Sequence, residues 1–177
     1  AEIRRLAAVA GVDPMVQDLD YALGWFLTGL LRQPDVAEAV LFKGGTCLRK
    51  CYFADYRFSE DLDFTLLRRL TVEQLQSAVT SAQGWSRDNG GPDFAAAPAG
   101  FEVVNDDYGQ ESLQVRLYYR GPLQWSGPAR AIQMDLSRGE TIRFAHERRT
   151  LIHTYSDAAL LPPLELTCYA LPEMLAE

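Results

Sequence analysis

The spacing of apolar and polar positions divides the chain into helical and extended stretches. Residues 3–10 and 13–32 read as helices, the second with Asp13 placed to cap it and Pro14 at its first position. Leu19, Leu23, Phe26, Leu27 and Leu30 recur at helical spacing and form its apolar stripe. Residues 39–42 are a short apolar run that predicts a buried strand, stopped by Gly44 and Gly45, and 46–52 regains helical character. Residues 61–66 alternate with period two, as a strand with one buried face does. A helix is predicted over 71–85, with Thr71 and Gln74 in capping-box positions, and a Gly-, Pro-, Asp- and Ala-rich loop over 88–100. Extended segments follow at 101–104, 113–119 and 131–136; two more are expected at 151–154 and 164–169 before Pro172 opens a last short helix. Helices first, then strands mixed with helices and no internal repeat, predict an α+β fold, an α/β mixed sheet with flanking helices.

Composition narrows this picture. A chain of 177 residues with 47% hydrophobic and 23% charged residues suits one domain with its own core and excludes a disordered chain. Seventeen Lys and Arg against 24 Asp and Glu give a net charge of −7, which disfavours a general basic coat while allowing a local basic groove. Only Lys43 and Lys50 are lysines, so a site that needs a lysine has two candidates. The apolar run 22–31 is too short to cross a bilayer, and no basic-then-apolar leader precedes it. The three cysteines cannot all pair, and Cys47 and Cys51 stand at helical spacing, which points to a reducing, cytoplasmic setting. They read as small buried hydrophobes, because Cys47 and Cys51 lack the second pair that a zinc site needs.

The chemistry concentrates in residues 41–66, LFKGGTCLRKCYFADYRFSEDLDFTL. A strand ending in Gly44-Gly45-Thr46 before a helix lets a phosphate approach the backbone near unpaired N–H groups, although such turns also occur as pure geometry. Asp61, Asp63 and Thr65 share one face of the following strand, with Leu62, Phe64 and Leu66 on the other. Two carboxylates side by side repel unless a cation lies between them, and oxygen-only ligands suit Mg²⁺, or Mn²⁺ in its place. A solvent-facing edge with incidental acids is the plainer alternative. In 131–137, Asp135 projects opposite Ile132, Met134 and Leu136, so neighbouring strands would bring three acids together. Arg143, Arg148 and Arg149, with His146 and His153, form the most basic neighbourhood; it could meet nucleic-acid phosphates or be a salt-bridged surface. The two histidines lack zinc-site partners and a nearby nucleophile motif, and read as structural or surface residues. Tyr52, Phe53, Tyr56 and Phe58 read as core and hinge packing.

Lys43-Gly44-Gly45-Thr46-x-Leu48-Arg49, followed by Arg57-Phe58-Ser59-Glu60-Asp61-Leu62-Asp63-Phe64, resembles the AbiEii/AbiGii nucleotidyltransferase toxins of type IV toxin–antitoxin, or abortive-infection, systems. The segment around Asp135 and the ending 171–177 also look like that family. The resemblance implies a DNA-polymerase-β-like nucleotidyltransferase core over 1–177. Within it lie N-terminal helices (1–35), the motif region (36–70), then a helix, a loop and further strands (71–177). It gives Gly44, Gly45 and Thr46 a triphosphate-binding role, Asp61, Asp63 and Asp135 the catalytic and metal-holding roles, and Lys43, Arg57 and Ser59 supporting contacts to the nucleotide, with Arg57 and Ser59 open to orienting Asp61 instead. Lys43 is open to a structural strand-end role as well. Family members continue into a helical C-terminal region with a further lysine and an Arg-Asp-x-x-Asp motif; this chain ends at Glu177, so that region is expected to be missing. The function implied is NMP transfer from an NTP to an RNA acceptor, especially tRNA, halting translation and growth, with a cognate antitoxin as partner and no membrane. The alternatives are a small-molecule, aminoglycoside-type nucleotidyltransferase and a catalytically silent nucleotide-binding or interaction module.

Overall fold

A computed structural model describes residues 1–105 and 111–176. Helix α1 (Glu2–Ala10) ends at Gly11, whose left-handed backbone turns the chain into α2 (Pro14–Leu31). The Asp13 carboxylate accepts from the Met15 N–H, as the sequence predicts for a cap. Apart from Pro14, Met15, Val16 and Tyr21, every residue of the 18-residue α2 is buried. It is therefore the central helix of the domain, not a surface helix with one apolar stripe. The short α3 (Pro34–Ala37) leads into β1 (Val40–Lys43), and α4 (Gly44–Cys47) continues through a π-helical turn over Leu48–Tyr52. Then come β2 (Asp61–Leu66), α5 (Val72–Asp88) with both hydrogen bonds of its Thr71–Gln74 capping box, β3 (Gly100–Asn105), β4 (Glu111–Tyr119) and β5 (Arg130–Ser137). The chain continues through β6 (Glu147–Thr150), β7 (Glu165–Cys168) and α6 (Leu171–Met174).

The seven strands form one mixed sheet in the order β3-β4-β5-β2-β1-β7-β6. Strands β2 and β5 run parallel, as do β1 and β7, while the other neighbours are antiparallel. One face is apolar: Phe42, Leu62, Phe64, Leu113, Val115, Leu117, Ile132, Met134 and Leu136 join the α2 and α5 side chains in a single core. Within it Phe42 and Phe64 stack at 5.0 Å across β1 and β2, and Trp25 meets Trp85 at 5.5 Å between the helices. The period-two alternation leaves the opposite face of β2, β4 and β5 polar.

Two expectations need correction. The strand expected at 151–154 is absent; the edge strand is β6, immediately before it. Its sequence, Glu-Arg-Arg-Thr, has no apolar alternation, because an edge strand with both faces near solvent needs none. The Leu151 N–H still reaches the Leu164 carbonyl beside β7, and the chain then leaves the sheet, with the Ile152 N–H bonded to the Lys50 carbonyl. Phe53, expected in the packing, is 47% exposed.

Candidate active site

Register places the predicted acids side by side. Lys43 on β1 pairs with Asp63 on β2, Asp63 pairs with Asp135 on β5, and Asp135 pairs with Gln114 on β4. One step along the strands, Asp61 pairs with Gln133 and Gln133 with Arg116. Paired residues in register share a face, and all of these lie opposite the core. Two polar rows thus cross the sheet, with three carboxylates where β2 and β5 meet. Partial burial and the negative charges of Asp135 and Glu60 push the Asp61 carboxyl up from its usual range. The Gln133 amide donates to Asp135 Oδ2 at 3.3 Å.

The glycine turn is built against these acids. Gly44 has φ +77°, and a methyl group on its α-carbon would lie 2.4 Å from Asp63 Oδ2. Only glycine meets both the backbone angle and the close approach. A side chain at Gly45 would strike Ser59 Oγ at 2.9 Å and come within 3.5 Å of the Arg57 guanidinium. Arg57 is exposed and, among the described residues, has no carboxylate within 4 Å, so its charge lies over the turn without an ion-pair partner. Gly44, Gly45, Arg57 and Ser59 are therefore neighbours of the acid row.

Thr46 belongs to the same turn in another capacity. It is buried, and its hydroxyl donates to the main-chain carbonyl of Asp61 at 2.5 Å, tying α4 to the start of β2. What Thr46 offers a phosphate is its main-chain N–H in the first helical turn, where such groups lack intrahelical partners. Lys43 is also engaged, with its ammonium 2.6 Å from Glu140 Oε1. Glu140 is the residue that sequence reasoning missed. It accepts from Ser137 at 2.7 Å, from Tyr169 at 2.6 Å and from Thr65, and these bonds with Lys43 hold its carboxyl down at about 2 despite burial. It lies in a loop beyond β5, and only the Lys43 charge signalled that an acid partner was needed.

Behind the site, the second lysine is wholly structural. Lys50 Nζ meets Asp20 Oδ2 at 2.8 Å, Arg49 Nε meets Asp20 Oδ1 at 2.7 Å, and the Tyr155 hydroxyl donates to Asp20 at 2.6 Å. Arg49 also donates to the Tyr56 carbonyl and lies 3.7 Å above the Phe58 ring. It thereby fixes the loop carrying Arg57 and Ser59 to α2. In the basic neighbourhood, Arg148 pairs with Glu165 at 2.9 Å and Arg149 with Glu147 at 2.5 Å, which makes it a salt-bridged surface. The His153 side chain is buried, with its ring against Tyr21 and Tyr155, as a structural histidine. The structure adds Cys168 to Cys47 and Cys51; the three sulfurs lie within 4.8 Å of one another inside the core.

The acid row offers oxygen donors only, and burial together with the charges of Asp135 and Glu60 disfavours an ionised Asp61, which is chemistry that a hard divalent cation would relieve. A mixed sheet with carboxylates at matched positions on β2 and β5, facing a glycine turn at the end of β1, is the arrangement expected of a nucleotidyltransferase. The fold agrees with two solved structures from Helicobacter pylori. One is JHP933, with a TM-score of 0.58 and 14% identity. The other is described as a candidate nucleotidyltransferase, with a TM-score of 0.52 and 14% identity. Each match covers 93% of this chain, which spans 56% and 58% of the length of those proteins. No curated protein sequence matches the chain. The family profile for the nucleotidyl transferase AbiEii toxins of type IV toxin–antitoxin systems matches residues 25–177, and the chain belongs to that family.

Proposed function

We propose that the protein is a metal-dependent nucleotidyltransferase toxin that moves NMP from an NTP to an RNA acceptor, with tRNA as the preferred class. The observation that carries this reading is the register match of Asp63 with Asp135, beside a glycine turn that admits no side chain. The triphosphate lies against Gly44, Gly45 and the Thr46 N–H, with Arg57 and Ser59 over its outer phosphates. Bound Mg²⁺ at Asp61, Asp63 and Asp135 would offset the charge of the triphosphate and favour the ionised acceptor hydroxyl. The hydroxyl oxygen bonds to the α-phosphorus, the bond to the β-phosphate oxygen breaks with its electron pair, and pyrophosphate leaves. The hydroxyl proton goes to Asp135, where that residue is not itself a metal ligand, or to water. Lys43, held by Glu140, maintains the end of β1 at the edge of the acid row.

Family membership supports an antitoxin as partner and the cytoplasm as the place of action, where NTPs and tRNA are found. Among the described residues no helix is long and apolar enough to cross a membrane. The test is transfer of label from α-labelled NTPs with Mg²⁺, offered total tRNA and, separately, aminoglycosides. Label on tRNA that disappears with Asp61→Ala is the expected result. Label on the small molecule alone would transfer the reading to a small-molecule enzyme, and tight NTP binding without transfer would make the chain a binding module.

A further inference from the structure

Three cysteines that the transfer chemistry does not use meet behind the glycine turn. Cys47 is the last residue of α4, one position after Thr46; Cys51 lies in the π-helical turn that follows; Cys168 ends β7. The pairing of Cys168 with Phe42 on β1 brings the third sulfur up to the other two. All three are free thiols, none is more than 5% exposed, and their sulfurs lie within 4.8 Å of one another. Among the described residues no histidine or carboxylate joins the group. A single buried cysteine is a small hydrophobe, but three that converge from two elements form a ligand set.

Three sulfurs, each about 2.3 Å from one ion lying in their plane, are about 4 Å apart, a spacing within the spread of this cluster. The donors also select the ion. Structural zinc is almost always four-coordinate, and among the described residues the buried cluster has no fourth side chain to offer. An all-sulfur set does not suit Mg²⁺ or Ca²⁺, and an iron–sulfur cluster calls for four cysteines. Cu(I), a soft monovalent ion, accepts three thiolates in a plane. The Cys47 and Cys51 thiols donate to the Cys168 sulfur and hold it below its usual range, so one ligand is already poised as a thiolate. As the ion binds, the protons of the other two thiols pass to solvent. We infer that Cys47, Cys51 and Cys168 form a trigonal, all-sulfur site for Cu(I), which ties α4 and its glycine turn to β7. The acid row plays no part in this assignment, which stands whether or not the chain transfers nucleotides.

The test is anaerobic titration of the reduced protein with Cu(I), in competition with a coloured Cu(I) chelator such as bicinchoninate. The ion is offered to the folded protein and, separately, during refolding from urea, because a buried site fills slowly. One Cu(I) per chain is expected, with three sulfur neighbours by X-ray absorption and a melting temperature several degrees above that of the metal-free protein. Cys47→Ser, Cys51→Ser and Cys168→Ser should each weaken binding by about a hundredfold or more, at least the most that loss of an outer-shell partner costs, because each removes a direct ligand. The sulfur count in the wild-type protein decides the matter even where a serine variant fails to fold. No Cu(I) uptake by either route overturns the inference. So does copper with fewer than three sulfur neighbours, or an affinity that the three substitutions leave unchanged. Zn²⁺ titrated in parallel should bind more weakly, and a preference for zinc would overturn the choice of ion.

Discussion

Gly44 shows how narrowly the site is specified at the level of a residue. Its backbone is left-handed, and the space that a β-carbon would need is filled by the Asp63 carboxylate. Gly44→Ala therefore strains the turn and displaces a carboxylate at once. The expected outcome is a fall in transfer rate of about a hundredfold or more with the fold retained, checked by kcat beside a thermal melt. Retention of near-normal kcat would show that the Asp63 position does not matter. Gly44, Asp61 and Asp63 were legible in the sequence because spacing alone puts them on one turn and one strand face. Glu140 was not: it reaches Lys43, Thr65, Ser137 and Tyr169 from a loop, and no local pattern announces a residue whose partners come from four segments. Lys50 was visible only as a rare lysine; its partner Asp20 sits on the face of α2 that a helical wheel would assign to the core.

At the level of elements, the segment after β6 explains both a misread strand and a buried histidine. Residues 151–154 carry enough apolar character to resemble a strand, yet they pack across α2 and the π-helical turn. The contact with α2 is close: a methyl group on Gly24 would lie 2.3 Å from His153 Nδ1, a buried atom with no hydrogen-bond partner among the described residues. His153 Nε2 faces Asp157 at 3.3 Å. Burial, helped by the Lys50 charge, lowers the imidazole to about 4. The unfolded chain takes up a proton near pH 6.5 and the folded one only near 4, so stability falls as pH drops through that window. Urea denaturation at pH 7 and pH 5 should differ by about 2 kcal/mol from this group, and His153→Gln should flatten the difference. An equal pH dependence in the variant would mean that His153 is not the group titrating.

Across the whole molecule, the mixed sheet brings together acids that lie far apart in sequence. Asp61 and Asp63 enter on β2 and Asp135 on β5, and the parallel pairing of those strands sets Asp63 and Asp135 level. The alternation along the sequence predicts three acids and an apolar reverse side on each strand. It carried no signal for parallel pairing, because register between distant strands depends on how the shared core packs α2 and α5 against them. On the proposed function the three carboxylates act as one unit, and a unit has a kinetic signature. The decisive measurement is the single-turnover rate of NMP transfer to tRNA for Asp61→Asn, Asp135→Asn and the double variant. Each single change is expected to lower the rate by about a thousandfold, with the double variant little worse than either, as for groups that act together. An Asp135→Asn protein that transfers at the wild-type rate, or two losses that multiply, would contradict a single three-carboxylate site.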